Sequence, residues 1–319
     1  MLSLKAERRM RMKPLKLCAA FKDYLWGGTK LNERYGKQSG FERTAESWEL
    51  SVHPDGLCTI AETGETLSAF IAADPPVLGT ARRSDALPIL VKLIDAADDL
   101  SVQVHPTDEQ ARVWEGQNGK TEMWYVIEAE PDAYITYGVK ESITAEVLAD
   151  AIRKNTVTDL LDRVPSRAGK TFFVEAGTIH AIGKGNLIAE VQQNSNVTYR
   201  LYDYDRRDRF GNTRPLHIIK GVRAARLTPT TAVEPVVEAD GVRLLSRCPY
   251  FEVRELTVNG AISRVCGEES YHYLLNVRGE VAVDDISLAA GESLFLCAGS
   301  GEYTVAGNGT VLLVNQPTM

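Results

Sequence analysis

The chain has 319 residues, 44% of them hydrophobic and 25% charged, with 36 basic against 43 acidic side chains and a net charge of −7. This is the make-up of an ordinary globular protein with a large core, and the acidic balance argues against nucleic acid as a general partner. No run approaches the roughly 18 apolar residues of a membrane span, and the five scattered cysteines never stand in CxxC spacing, so neither a disulfide framework nor a zinc knot is expected.

In chain order, Lys5, Arg8, Arg9, Arg11, Lys13 and Lys16 mark a basic start with no apolar stretch behind it. It reads as a solvated tail over residues 1–14 rather than a signal peptide, and the protein as cytoplasmic. Pro14 to Ala20 reads as a short strand, and Trp26-Gly27-Gly28 as a turn. Glu46 to Val52 alternates at period 2 and stops at His53-Pro54-Asp55-Gly56. Leu67 to Ala73 is a short helix closed by Pro75-Pro76. Leu87 to Asp95 is apolar except for Lys92, as in a strand covered on both faces.

Leu100 to Val126 is the most informative stretch. Ser101, Gln103 and His105 alternate with Val102 and Val104, so the three polar side chains share one face of a strand. Thr107 and Gln110 have the spacing of a capping box. After Gly116-Gln117-Asn118-Gly119, Lys120 and Glu122 share a face of a second strand, with Trp124 beyond them as pocket wall or core. Two helices are expected next: one capped by Thr144, with Val147, Leu148, Ala151 and Ile152 as its apolar stripe, and one carrying Val157, Leu160 and Leu161. Strand patterns return at Lys170 to Glu175 and Thr178 to Ile182, the latter holding His180, and then at Leu187 to Asp205. From about Pro235, short strands separated by Gly- or Asp-rich turns every 8–12 residues suggest an all-β unit.

If the strands face a common cavity, Gln103, His105, Glu122 and His180 form a donor set. Imidazole and carboxylate without sulfur suit Zn²⁺, Mn²⁺ or Fe²⁺, and Lys92, Lys120 and Arg200 would make the surroundings an anion site. His53 is read as structural, His217 as a residue that supports the site from behind or lies on the surface, and His272 as no ligand; the run Asp203 to Arg209 reads as a solvent-facing charged turn, with Arg206 or Arg207 a secondary candidate for phosphate.

The segments QVHP (103–106), GKTEMWYV (119–126), GTIHAI (177–182) and EVQQNSNVTYRLYDYDR (190–206) closely resemble type I mannose-6-phosphate isomerases of the short bacterial branch. WGGTKL (26–31), ESWELSVHPDG (46–56) and LVKLID (90–95) extend the resemblance, which runs in order from about Trp26 to Lys220. It implies a mainly β fold, the double-stranded β-helix of cupins or jelly rolls, as a bicupin with helical insertions. The catalytic cupin would span 15–235 and a cupin-like β domain 236–319. It also implies one Zn²⁺ per chain on His105, Glu122 and His180, with Gln103 as a further ligand. Arg200 falls on the family's catalytic arginine, Lys92 and Lys120 on active-site lysines, and Ser101 on a phosphate-holding position. The implied reaction converts mannose 6-phosphate and fructose 6-phosphate into each other, so the partner is a small sugar phosphate.

These residue types suit such chemistry on their own terms. Aldose–ketose isomerisation moves a proton between neighbouring carbons through an enediolate, whose negative oxygens a divalent ion and a protonated arginine would stabilise. Lys120, a water on the metal and Glu190 all stand as candidates for the base, and Glu190 is also expected to face the substrate. Two rival readings are a cupin that binds a sugar phosphate without turning it over and an Fe²⁺ dioxygenase.

Overall fold

Three antiparallel sheets make up most of the structure, with five short α-helices among the described residues. The computed structural model describes residues 13–207 and 210–318. Most of the basic tail, and Asp208 and Arg209 of the charged run, lie outside the described residues.

A six-stranded sheet runs in the order Thr171–Val174, Glu122–Ala129, Asn186–Gln193, Ile89–Asp95, Glu46–Leu50, Ala20–Lys22. A five-stranded sheet runs Tyr199–Tyr202, Val102–Val104, His180–Ile182, Tyr134–Val139, Leu161–Pro165. The period-2 rule explains how the pair is built. In the first sheet Val91 and Leu93, Ala189 and Val191, and Met123 and Tyr125 point to one side. They join a core that also takes Phe251, Val253, Tyr273 and Phe295 from the C-terminal part of the chain. Their neighbours Ile94, Ile188, Trp124 and Val126 point the other way and meet Ile135, Tyr137 and Ile182 of the second sheet. The outer face of that second sheet, including Val102, Val104 and Leu201, is covered by the helices Ala145–Arg153 and Ile218–Ala224. Lys92 therefore sits in an apolar run because its strand is covered on both sides, as its sequence pattern suggested, with Lys92 itself on the inner side.

The third sheet has nine strands and is built from both ends of the chain: Leu15–Cys18 pairs with Ser293–Leu296 on one side and with Thr59–Ile60 on the other. The fold is mainly β, as expected, and its helical insertions are few.

Three local expectations differ from the structure. The second helix is a single 3₁₀ turn, Val157–Leu160, and Leu161 begins the strand that pairs with Tyr134–Val139. Thr156, Val157 and Thr158 are β-branched and weak helix formers, and sheet pairing prevails over the periodic pattern. Val147 lies outside its helix's buried stripe and is exposed, leaving Leu148, Ala151 and Ile152. The short C-terminal strands merge into Glu252–Cys266, His272–Val283 and Gly301–Asn315. The glycines that read as turns lie inside those strands and face each other, Gly260 opposite Gly307 and Gly279 opposite Gly309; a neighbouring backbone comes close at Gly279, Gly307 and Gly309 but not at Gly260.

Candidate functional site

Strand register assembles residues that are far apart in sequence. Gln103 is the cross-strand partner of both His180 and Arg200, so the three lie in one row across the five-stranded sheet, opposite the face that buries Val102 and Val104. In the six-stranded sheet Lys92 pairs with Trp48 on one side and Glu190 on the other, and Glu190 pairs with Trp124. Glu122 is two residues before Trp124 and shares its face. The two rows confront each other between the sheets.

His105, Glu122 and His180 meet there, buried, with ligand atoms all within 4.8 Å of one another. Nε2 of His105 is 3.5 Å from Oε2 of Glu122, and Nε2 of His180 is 3.4 Å from Oε1. Each imidazole is oriented through its other nitrogen: Nδ1 of His105 lies 2.8 Å from the Val197 carbonyl, and Nδ1 of His180 2.8 Å from that of Thr178. A carbonyl only accepts, so the proton belongs on Nδ1 and the Nε2 lone pairs point at Glu122. Burial holds His105 well below the ordinary histidine range and His180 down at about 3, so both are neutral donors. Burial and the nearby Glu190 push the Glu122 carboxyl up, a cost that a cation at this spot offsets. Oε1 of Glu122 is buried with no hydrogen-bond partner. Two neutral imidazoles, one carboxylate and an unsatisfied oxygen fit a divalent ion such as zinc.

Lys120 makes an ion pair with Glu122, and its Nζ is 3.2 Å from Nε2 of His105. The Gln103 amide reaches His180 Nε2 at 3.3 Å, about as close to it as Glu122 is.

A cavity of about 450 Å³ opens beside this group, and Lys92, Ser101, Gln103, Lys120, Glu190 and Arg200 all line it. Glu190 accepts the Trp124 indole N–H at 2.8 Å through Oε2. Its Oε1, without a hydrogen bond, is 3.4 Å from Lys92 Nζ and 3.8 Å from that of Lys120. Burial pulls Lys92 towards its neutral form, but Glu46, Glu190 and Glu122 outweigh it and keep the ammonium charged. Arg200 is fixed by its backbone N–H donating to Nδ1 of His217 at 3.0 Å and by Nη1 donating to the Pro215 carbonyl. A larger neighbouring cavity of about 880 Å³ shares Asn196 and Thr198 but holds none of the ligand candidates.

Residues 14–148 match the phosphomannose isomerase type I catalytic domain. The mannose-6-phosphate isomerase ManA of Bacillus subtilis is 39% identical over 80% of this chain and 82% of its own length. The chain belongs to the type I phosphomannose isomerase family. A mannose-6-phosphate isomerase of Streptococcus mutans is 35% identical over 89% of this chain and 92% of that protein. The crystal structure of a Bacillus subtilis mannose 6-phosphate isomerase superposes with a TM-score of 0.87 at 33% identity, over 95% of this chain and 99% of that one. A zinc-bound mannose 6-phosphate isomerase, 19% identical over 96% of this chain and 100% of that one, shares the fold with a TM-score of 0.79.

Several residues of this family member's cavity were not legible as such in the sequence. Glu46 lines it, accepts the Trp48 indole N–H at 2.7 Å and lies 3.6 Å from Lys92. The shared face of Glu46 and Trp48 was the available signal. Arg214 lines it too, from an irregular loop where no periodicity points inward. The charged run before it is not a solvated turn throughout: Asp203 is buried and grips Arg206 and Arg214. Arg206 and Arg207 do not line the cavity. Trp124 is core, supporting Glu190 and packing edge-on against His180. His53 packs against Trp48, and His272 bonds Tyr303. Among the described residues no helix is long and apolar enough to cross a membrane.

Proposed function

We propose that this chain is a zinc-dependent aldose–ketose isomerase that converts mannose 6-phosphate and fructose 6-phosphate into each other through an enediolate. Residues 15–235 carry the chemistry and 236–319 form the second, cupin-like unit. His105, Glu122 and His180 hold the zinc, with Gln103 as a further donor. The observation that carries the reading is the meeting of this three-residue donor group with Lys120, Glu190 and Arg200 around one cavity. The names of the relatives agree with it.

A zinc ion on these residues would polarise the substrate's carbonyl and hydroxyl oxygens and offset the negative charge of the enediolate. Arg200 stays protonated and holds a substrate oxygen, or the charge growing on it, in a fixed geometry. Lys92, kept charged by three carboxylates, donates hydrogen bonds to the sugar and does not take a proton. Lys120 and Glu190 are the side chains placed to hold the migrating proton, and Ser101 donates to the phosphate. A sugar-phosphate binder without turnover would use the cations but has no need of a buried carboxylate oxygen left without a hydrogen bond, as in Glu190.

The test is a coupled assay over a panel of aldose and ketose 6-phosphates, with metal measured on the same sample. About one zinc per chain and conversion of mannose 6-phosphate are expected. Zinc-loaded protein that binds the sugar phosphate but never isomerises it would establish the binding-only rival instead.

A further inference from the structure

The cavity's charges fall into two groups. Lys92, Lys120, Glu46, Glu122 and Glu190 neighbour one another through the contacts described above. Arg200 belongs to a different set: the charges that act on it are those of Arg214, Asp203 and Arg206, and no carboxylate of the first group is among them. Burial and the Arg214 guanidinium both lower the Arg200 pKa, which means that two like charges are held close together with too little counter-charge nearby. The buried carboxylate in this set is Asp203, 5% exposed. Arg206 and Arg214 bond it directly and Arg200 feels its charge, an excess of positive charge that suits a dianion.

Asp203 does not treat them alike. Its two oxygens take Arg214 in a fork, Oδ2 from Nε at 2.8 Å and Oδ1 from Nη2 at 2.5 Å. This bidentate grip fixes the plane of the guanidinium and leaves Nη1 outside the fork. Arg206 reaches Oδ1 of Asp203 at 2.9 Å, lies 3.7 Å from Asp98 and stacks over Tyr204. Arg206 thus braces the carboxylate from behind, whereas Arg214 lines the cavity beside Arg200, together with Ser101, Asn196 and Thr198.

We infer that Arg214, held by the Asp203 fork, grips the phosphate end of the substrate and is the residue that makes the cavity select phosphorylated over unphosphorylated sugars. This rests on the isomerase reading and adds to it a phosphate-reading cation and, in Asp203, the positioning residue behind it. A preset guanidinium loses little freedom on meeting a phosphate, which is why the fork matters as much as the charge.

The experiment compares wild type with Arg214→Ala, Arg214→Lys and Asp203→Asn. It reads steady-state kinetics on mannose 6-phosphate and competition by a non-reacting hexitol 6-phosphate and by the same hexitol without phosphate. Loss of a charge-assisted contact predicts that R214A raises KM and the hexitol 6-phosphate Ki by about 10- to 100-fold. The expected kcat stays within about threefold, since among the described residues the ion pairs of Arg214 and those of Lys120 and Glu190 share no partner. The neutral hexitol competes as before. R214K recovers part of the loss, and D203N reproduces the KM effect with zinc content unchanged. Equal weakening towards both hexitols, an unaltered Ki for the phosphorylated one, or a fall in kcat alone would overturn the assignment. If wild type turns over mannose 6-phosphate and R214A matches it, only this inference fails. If wild type neither turns it over nor prefers the phosphorylated hexitol, the isomerase reading fails with it.

Discussion

Oε2 of Glu190 accepts the indole N–H of Trp124 at 2.8 Å, and this single bond decides which carboxylate oxygen faces the lysines. Trp124 is 1% exposed and cannot be replaced by water as a donor. Trp124→Phe keeps the ring against His180 but removes the donor, at a cost of roughly 1.5–3 kcal/mol for a bond to a charged group. With Glu190 no longer fixed, kcat should fall about tenfold or more while zinc content stays the same. Glu190→Gln keeps the shape and removes the basic oxygen, so a loss of about 10²–10⁴ in kcat is expected. A glutamine variant with wild-type kcat would place the proton transfer elsewhere.

The donor group and Arg200 should separate cleanly. His180→Ala removes a proposed ligand whose lone pair is aimed by the Thr178 carbonyl, so metal and activity should be lost together. Arg200→Ala leaves the donors intact and should keep its zinc while kcat drops about 10²–10³. Chelation should abolish turnover and added zinc restore it. Gln103→Leu asks whether the amide supports the metal: a 10- to 100-fold weaker zinc affinity, of the order seen for supporting residues, is expected if it does. Full activity after verified metal removal would refute the metal's role.

How much of this was legible beforehand follows from how the site is made. Strand faces are set by period 2, so Ser101, Gln103 and His105, and likewise Lys120 and Glu122, could be placed on common faces without coordinates. The motifs added His180 and Arg200. Register between distant strands is not written in local pattern, so the row of Arg200, Gln103 and His180 became visible only in the sheet. Arg214 was out of reach for a different reason: it lies in a loop whose shape depends on the buried Asp203, and a charged run normally reads as solvated. The long C-terminal strands were misread because glycine usually ends a strand, whereas here Gly279, Gly307 and Gly309 sit inside strands where a neighbouring backbone comes close.

Those glycines can be tested directly. Gly279 has φ of +75°, and a Cβ there would stand 2.2 Å from the Asn308 carbonyl oxygen. Gly279→Ala meets both an unfavourable backbone region and a clash with a main-chain atom that cannot rotate away. Destabilisation of roughly 2–4 kcal/mol is expected, read as a lower denaturant midpoint. Gly260 also has positive φ, yet nothing lies within 4 Å of its Cβ position, so Gly260→Ala should cost only the backbone part, about 1–2 kcal/mol. Equal losses at the two positions would show that close approach is not what requires Gly279.

Asp108 offers a test of pH dependence away from the metal. It opens the helix Asp108–Glu115, and its Oδ1 accepts the Gly119 N–H at 2.8 Å and the Gln193 amide at 2.9 Å, while Oδ2 accepts the Tyr250 hydroxyl at 2.8 Å. One carboxylate thereby ties the loop before Lys120 to a C-terminal residue. Burial raises its pKa, but these three bonds and Arg112 outweigh burial and leave it below the ordinary value. A depressed folded pKa means stability that is present above the unfolded value of about 3.9 and lost as pH falls through the folded one. Asp108→Asn keeps an oxygen for Gly119 and Gln193, and its amide can donate to Tyr250, so it removes the charge while largely preserving the contacts. At neutral pH the variant should be about 1–2 kcal/mol less stable, the difference between charge-assisted and neutral bonds. Between about pH 5 and 3 the wild type should lose stability faster, so the two curves of denaturant midpoint against pH converge. Parallel curves would mean that the bonds at Asp108 do not depend on its charge.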